Sequence, residues 1–378
     1  MKRSTERILT THTGSLPRPA DLATMLEALD TGAPLDAAAF QARVRRAVAD
    51  IVRKQLDAGV DIVSDGEQGK VGYSTYVRHR LTGFGGHSAV PRRADWADFP
   101  EAAARAERRS AVARPACNAP IDWKDRTAVQ TDVASFHAAL EGVSPAEAFM
   151  TAASPGVIAT IMLDAYYGSH ERYLKALARE MRREYEFIVA RGFILQLDCP
   201  DLAMERARFF QHETVAQFVK TVELHIEAIN QAIVNIPPDR VRLHLCWGNY
   251  DGPHVHDVAL DAILPAVLRA RVGALSLPLG NPRHQHEYKV IKRLGLPDGM
   301  LFLPGIIDTT TNYVEHPEVV ADRIAQAVDA IGDRTRVLAS TDCGFGTFAG
   351  SEMCAESVVW AKLRALAEGA ALASRRTA

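Results

Sequence analysis

The sequence lacks the features that mark two large classes of protein. Its 378 residues include 44 basic and 46 acidic side chains, a formal net charge of −2, so no basic surplus is available for contacts with nucleic-acid phosphates. No uninterrupted apolar run is long enough to cross a bilayer. We therefore predict a protein that binds neither nucleic acid nor a membrane.

Cysteine is also scarce, and the five that occur are an odd number spread widely along the chain. They are Cys117, Cys199, Cys246, Cys343 and Cys354. Met1 is followed by polar residues rather than by the apolar segment of a secretory leader. In a chain without an export signal, scattered cysteines are more often free thiols or metal ligands than disulfides. We expect a cytoplasmic location.

Short β-rich runs alternate with long amphipathic helical patterns about eight times. The predicted strands are Ile8–Thr11, Asp61–Ser64, Val157–Thr160, Ile194–Asp198, Val241–Leu245, Ala274–Leu277, Leu301–Pro304 and Val337–Ser340. Such alternation is typical of a parallel sheet, and eight units suit closure into a (β/α)8 TIM barrel. The alternative, an open doubly wound sheet, lacks the G-x-G-x-x-G that would follow an early strand. We predict a single α/β barrel over residues 1–378.

One stretch, about residues 83–156, breaks this rhythm after the second predicted strand. It is far longer than an ordinary strand–helix connection, and insertions of this length serve as lids, arms or contacts in a homo-oligomer. The sequence does not distinguish among these roles.

Three soft metal ligands fall at predicted strand ends. His244 and Cys246 end the fifth strand, where residues two apart point to the same face, and Cys343 follows the eighth. Barrel enzymes keep their active sites at these ends, and one imidazole with two thiolates suits Zn2+. The alternative is that the cysteines are small core residues and His244 is a hydrogen-bonded core histidine. The placement of all three side chains at strand ends favours a metal site over core packing.

These motifs resemble the catalytic zinc barrel of the cobalamin-independent methionine synthase family and its single-barrel relatives, such as epoxyalkane:coenzyme M transferase. Further matches follow in order along the chain. They are His12-Thr13-Gly14-Ser15-Leu16-Pro17-Arg18, Asp65-Gly66-Glu67, Gln196-Leu197-Asp198-Cys199-Pro200, Asn281-Pro282-Arg283-His284 and Gly305-Ile306-Ile307-Asp308.

The resemblance implies zinc on the His244, Cys246 and Cys343 side chains. It makes Glu67 and Asp198 the catalytic carboxylates, which hold a polar, often cationic, group of the substrate.

The remaining candidates are expected to bind substrate. The resemblance places Ser15 at a substrate carboxylate, and Asp308 lies in the segment after strand seven. Arg18 could clamp an anionic group or be a solvated surface charge, and Tyr73 could line a pocket or pack the lid.

The sequence departs from the family at Pro278, which stands where the family supplies a glutamate as fourth zinc ligand. His284, His286 or Glu287 could replace it. Without a replacement, the centre is formally neutral and has an open position, which favours activation of water.

The predicted function is therefore that of a zinc enzyme that makes or breaks a carbon–sulfur bond in a small sulfur-containing molecule. We expect zinc- and water-assisted desulfuration of a thioxo ring, as in ergothioneine breakdown. The alternative is alkyl transfer to a zinc-activated thiolate, as in methionine synthase or an epoxide:thiol transferase. Folate-dependent homocysteine methylation is not expected, because the chain has no room for the second barrel of that enzyme. A non-catalytic zinc-storing barrel is a further alternative.

Overall fold

The computed structural model describes residues 1–107, 114–124 and 126–377. The strands among them are β1 (Leu9–Thr10), β2 (Ile62–Ser64), β3 (Phe84–Gly85), β4 (Ala116–Cys117), β5 (Glu147–Ala153), β6 (Ile194–Asp198), β7 (Val241–His244), β8 (Ala274–Pro278), β9 (Leu301–Ile307) and β10 (Leu338–Thr341). The α-helices are α1 (Ala20–Thr31), α2 (Ala37–Asp57), α3 (Asp95–Asp98), α4 (Pro100–Glu107), α5 (Thr127–Leu140), α6 (Pro155–Ile161), α7 (His170–Ala190), α8 (Val215–Ala232), α9 (Leu260–Val267), α10 (Tyr288–Leu294), α11 (Pro317–Ile331) and α12 (Glu356–Arg376).

Eight strands form one parallel sheet in the order β1-β10-β9-β8-β7-β6-β5-β2. They are buried almost throughout, because helices cover the outer face and the inner face lines the barrel. At the seam between β1 and β2, the Asp61 amide donates to the Thr10 carbonyl at 3.2 Å, and Thr11 Oγ1 donates to the Ile62 carbonyl at 3.2 Å. The sheet is thus a nearly closed barrel, which confirms the predicted TIM-barrel fold.

The outer helices form where the sequence combines a start signal with an apolar stripe. Helix α7 begins after Ser169, whose side chain accepts a hydrogen bond from the Arg172 amide, and buries one face that includes Leu177 and Tyr185. Helix α8 begins with a capping box between Thr214 and Gln217. Its buried face lies against α7 and α9.

A buried arginine organises the inside of the barrel. The Arg242 guanidinium lies over the Phe149 ring, 3.4 Å from the ring centroid. It donates to Gln196 Oε1 at 2.7 Å and to the His12 carbonyl at 2.8 Å. These bonds attach the loop after β1 to the middle of the sheet, and that loop carries Ser15 toward the mouth of the barrel.

The predicted third strand, Val157–Thr160, is wrong. These residues belong to helix α6, which begins where Ser154 accepts from the Val157 amide and Pro155 occupies the first turn. The third barrel strand is β5, which pairs with β2 and β6. A short apolar run fits either a strand or a buried helix, and the Ser-Pro start signal was the information that distinguished them.

This correction changes the limits of the predicted insertion, 83–156. Helix α5 packs beside α2, and β5 is a barrel strand, so both belong to the barrel. The additional segment therefore lies between β2 and α5, and its described part contains the small antiparallel pair of β3 and β4 together with α3 and α4. Among the described residues, no helix has the length and apolarity needed to cross a membrane.

Candidate metal centre and active site

The three predicted metal ligands meet at the mouth of the barrel. The His244 side chain lies at the end of β7, Cys246 follows two residues later, and Cys343 follows β10. Their ligand atoms lie within 4.8 Å of one another, and the two Sγ atoms are 4.0 Å apart. Two sulfurs bound to one tetrahedral zinc at about 2.3 Å lie roughly 3.8 Å apart, so the spacing fits that ion.

Hydrogen bonds orient the trio toward a shared point. The His244 Nδ1 atom is 3.2 Å from Ser276 Oγ, whereas Nε2 is buried without a hydrogen-bond partner. The Gly248 amide donates to Cys246 Sγ at 3.1 Å, and its φ of 112° is one that glycine adopts readily. An unpartnered buried imidazole nitrogen beside two thiols is the environment expected of a ligand set.

The two cysteines form a coupled pair. A hydrogen bond from the Cys343 thiol lowers the pKa of Cys246, and the His244 ring and the Gly248 amide lower it further. The same contact raises the pKa of Cys343, and burial adds to that effect. Without an ion, only one of the two sulfurs is favoured as a thiolate. A divalent ion would stabilise both as thiolates.

Two carboxylates lie along the same cavity as the trio. Glu67 Oε1 accepts a hydrogen bond from Thr151 Oγ1 at 2.8 Å, whereas Glu67 Oε2 is buried without a partner. Asp198 Oδ1 accepts from Gln196 Nε2 at 2.7 Å. Burial, together with the charge of Glu67, raises the pKa of Asp198 to about 7. The pair forms an acidic wall suited to a donor-rich or cationic group.

Of the predicted substrate-binding residues, the structure brings Ser15 and Tyr73 to the cavity, with Glu67 and Asp198. It does not bring Arg18 or Asp308 there. Arg18 is buried and donates to the carbonyls of Gly346 at 2.5 Å and Glu67 at 2.9 Å, so it holds two loops together. Asp308 Oδ1 accepts from the amide and hydroxyl of Thr310.

No replacement for the fourth ligand joins the trio among the described residues. Pro278 is buried at the end of β8. His284 stacks on Trp247, with ring centroids 3.9 Å apart, and its Nε2 is 2.9 Å from Asp257 Oδ2.

The other two candidates also lie apart from the trio. His286 is largely exposed, and Glu287 accepts from the Leu260 amide. The described part of the chain therefore offers three ligands.

The cavity above the trio has a volume of about 890 Å3, and its outer wall was not predicted. That wall includes Arg93, Trp96, Arg114, Arg208 and Tyr250. The first three lie in the segment between β2 and α5, where no strand-end rule identifies site residues. Nothing in the sequence pattern distinguished them from surface residues.

A family model described as "Cobalamin-independent synthase, Catalytic domain" matches residues 8–89, a stretch that contains Ser15 and Glu67 but not the trio. The methionine synthase of Thermococcus kodakarensis is 24% identical over 88% of this chain and 84% of its own length. That of Saccharolobus solfataricus is 22% identical over 95% of this chain and 93% of its own length. The chain is similar to the cobalamin-independent methionine synthases.

One further relative is similar to part of this chain, and one solved structure shares its fold. The 2-hydroxypropyl-CoM lyase of Xanthobacter autotrophicus is 28% identical over 170 residues, 38% of this chain and 43% of that protein. The fold matches the structure of a B12-independent methionine synthase from Shewanella sp. W3-18-1 in complex with selenomethionine. The TM-score is 0.76 at 20% identity, and the match covers 98% of this chain and 99% of that one.

These comparisons bear on the predicted activity. Methionine synthases match this chain over 84% and 93% of their own length, so the length of the chain is no argument against that reaction. The relatives are named as synthases or as a lyase, and none of those described here is named as a desulfhydrase or hydrolase. The comparisons therefore favour the alternative, alkyl transfer, over the predicted preference for desulfuration.

Proposed function

We propose that this chain is a zinc enzyme that transfers an alkyl group to the sulfur of a small thiol. The observation that carries the proposal is the cluster of His244, Cys246 and Cys343 at the mouth of the barrel, with His244 Nε2 buried and unpartnered. When bound there, zinc supplies a soft Lewis acid that lowers the pKa of a thiol. The names of the relatives support carbon–sulfur chemistry of this kind.

The chain's own residues bind and orient the thiol. Glu67 Oε2 has no hydrogen-bond partner among the described residues and lies on the same cavity as Asp198, so the two carboxylates can receive a polar or cationic group of the substrate. Ser15 lies on the loop after β1 and contacts the Gly344 region beside Cys343. Holding the thiol through these groups orients its sulfur for attack on an alkyl carbon.

Desulfuration of a thioxo compound remains the competing reaction, because Pro278 leaves three protein ligands among the described residues. The two reactions differ in their products. Alkyl transfer consumes a thiol and forms a thioether, whereas desulfuration releases sulfide. A product assay therefore separates them directly.

The test combines metal analysis with a product assay on the purified protein. We expect about one zinc per chain in the unmodified protein and much less in Cys343→Ser. The matched control is Cys354→Ser, because Cys354 is buried outside the cavity and its Sγ donates to the carbonyls of Thr309 and Thr311, which a hydroxyl can also do. The control should retain both zinc and activity.

The product assay uses homocysteine and other small thiols with methyl donors and epoxides, and thioxo-ring compounds in parallel. Thioether formation that is lost in Cys343→Ser supports the proposal. Sulfide release without thioether formation, or full activity in Cys343→Ser, overturns it.

A further inference from the structure

The outer wall of the cavity carries arginine side chains, in contrast to its acidic inner wall. Arg93, Arg114 and Arg208 line the cavity together. Glu205 is buried and pairs with Arg208 through both carboxylate oxygens, which fixes the position of that guanidinium. Asp251 and Glu352 also line the cavity, so the outer wall is mixed in sign.

Arg93 and Arg114 are held differently from Arg208. Arg93 stacks on the Tyr250 ring at 4.1 Å from its centroid, and its Nη1 is buried without a hydrogen-bond partner among the described residues. Arg114 is partly buried, and burial together with the nearby charge of Arg208 lowers its pKa. A buried guanidinium nitrogen without a partner is costly, so this arrangement is one that an anionic ligand would stabilise.

Arg93 is also close to the metal ligands. The Gly248 amide is 3.1 Å from Cys246 Sγ, and the point where a side chain would begin at Gly248 is 3.0 Å from Arg93 Nη2. Standard bond lengths then place Arg93 Nη2 within about 9 Å of Cys246 Sγ. A molecule with a chain of a few atoms can therefore contact both.

We propose that Arg93, Arg114 and Arg208 form a binding site for an oxyanion group, a carboxylate, sulfonate or phosphate, carried by the molecule that reacts at the trio. This site is separate from Ser15 and the acidic wall. The part of the proposal that concerns the reacting molecule rests on the proposed function, whereas oxyanion binding by the arginines does not. Guanidinium groups suit this ligand because they donate paired hydrogen bonds to two oxygens at once.

The first experiment measures oxyanion binding alone, by calorimetry on the metal-loaded enzyme. The probes are propionate, methanesulfonate and inorganic phosphate, with propionamide and dimethyl sulfone as neutral counterparts. We expect at least one anion to bind roughly 10-fold or more tightly than its neutral counterpart, and Arg93→Gln and Arg114→Gln each to remove most of that preference. The control Arg105→Gln alters an exposed arginine of α4 and should bind as the unmodified protein does.

The second experiment uses cobalt in place of zinc and follows the sulfur-to-cobalt absorption on adding 3-mercaptopropionate or 3-mercaptopropionamide. Tighter binding of the acid, with the difference lost in Arg93→Gln, supports the proposal. Equal binding of all anions and their neutral counterparts, or an unchanged preference in both glutamine variants, overturns it. If the anions bind but neither thiol changes the cobalt spectrum, the oxyanion site stands and the proposed function fails.

Discussion

Glu67 combines two unfavourable features. Its φ of 55° is rare for a residue with a side chain, and its Oε2 atom is buried without a partner. Such a conformation costs on the order of 1–3 kcal/mol and persists where the surrounding structure enforces it. Here Arg18 holds the Glu67 carbonyl, and Thr151 holds Oε1. The cost is understandable if Oε2 is reserved for a ligand.

Replacing Glu67 by glutamine should therefore separate activity from stability. The amide oxygen can still accept from Thr151, and the buried negative charge disappears. We expect kcat/KM to fall roughly 10- to 100-fold, and the free energy of unfolding to stay the same or rise by about 1 kcal/mol. Steady-state kinetics and urea unfolding on the same preparation check this. An equal loss of stability and activity would contradict it.

At this scale the sequence predicted the residues on strand ends well. His244, Cys246 and Cys343 meet because strand ends converge in any closed parallel barrel. Arg18 shows the limit of this reasoning. Its charge suggested a ligand, but whether a guanidinium faces a cavity or two backbone carbonyls depends on loop packing, and local sequence does not encode that.

At the scale of elements, the additional segment after β2 is attached to the loop after β7 through one buried carboxylate. Asp95, in the short helix α3, accepts hydrogen bonds from the amides of Val255 and His256 at 2.7 and 3.2 Å. Trp96 beside it contacts the Tyr250 ring edge-on. Both aromatic residues and Arg93 line the cavity, so this attachment shapes its outer wall.

Asp95→Ala should loosen that wall without unfolding the barrel. It leaves two part-buried backbone N–H groups without their protein acceptor, a cost of roughly 1–2 kcal/mol, and we expect faster amide exchange at Val255 and His256 and a raised KM. Asp95→Asn is the matched control, because its Oδ1 can still accept from both amides. Hydrogen exchange resolved to these residues measures the effect, and equal exchange in the two variants would refute this explanation.

The sequence predicted the long helices correctly, because a long element repeats its apolar pattern several times. It failed for several short elements, which do not. Helix α7 carries its apolar stripe over 21 residues and is recognisable, whereas Val157–Thr160, within the seven residues of α6, also fits the pattern of a strand. The helices and strands between β2 and α5 escaped prediction because they are short and depend on contacts with the barrel.

At the scale of the whole molecule, two histidines make stability depend on pH. Burial lowers the pKa of His12 to about 3 and that of His170 to about 4. His170 Nε2 lies 2.8 Å from His225 Nε2, so the two rings share one proton between them. Since the unfolded chain binds these protons near pH 6.5, stability is lost as the pH falls from about 6.5 toward these values.

Asp198 and Asp342 act in the opposite direction, because burial raises the pKa of each to about 7 and the folded state then binds protons first. The two aspartates contribute equally to the unmodified protein and to a histidine variant, so comparing those two proteins removes the contribution of the aspartates. Relative to His170→Gln, the unmodified protein should lose up to about 1.4 kcal/mol of unfolding free energy per pH unit between pH 6 and 4.5. Urea unfolding of both proteins at several pH values measures this, and parallel curves would rule it out.

The distance along the chain between the metal ligands has a consequence for how the protein matures. Cys246 and Cys343 are 97 residues apart and follow different strands, so in an unfolded chain only His244 and Cys246 are held close together. Two ligands bind an ion weakly, and the third ligand, Cys343, reaches the site only when β10 has joined the sheet. Metal loading should therefore be the final step of biogenesis, performed on an already folded apoprotein, and it cannot serve as the nucleus around which the chain assembles.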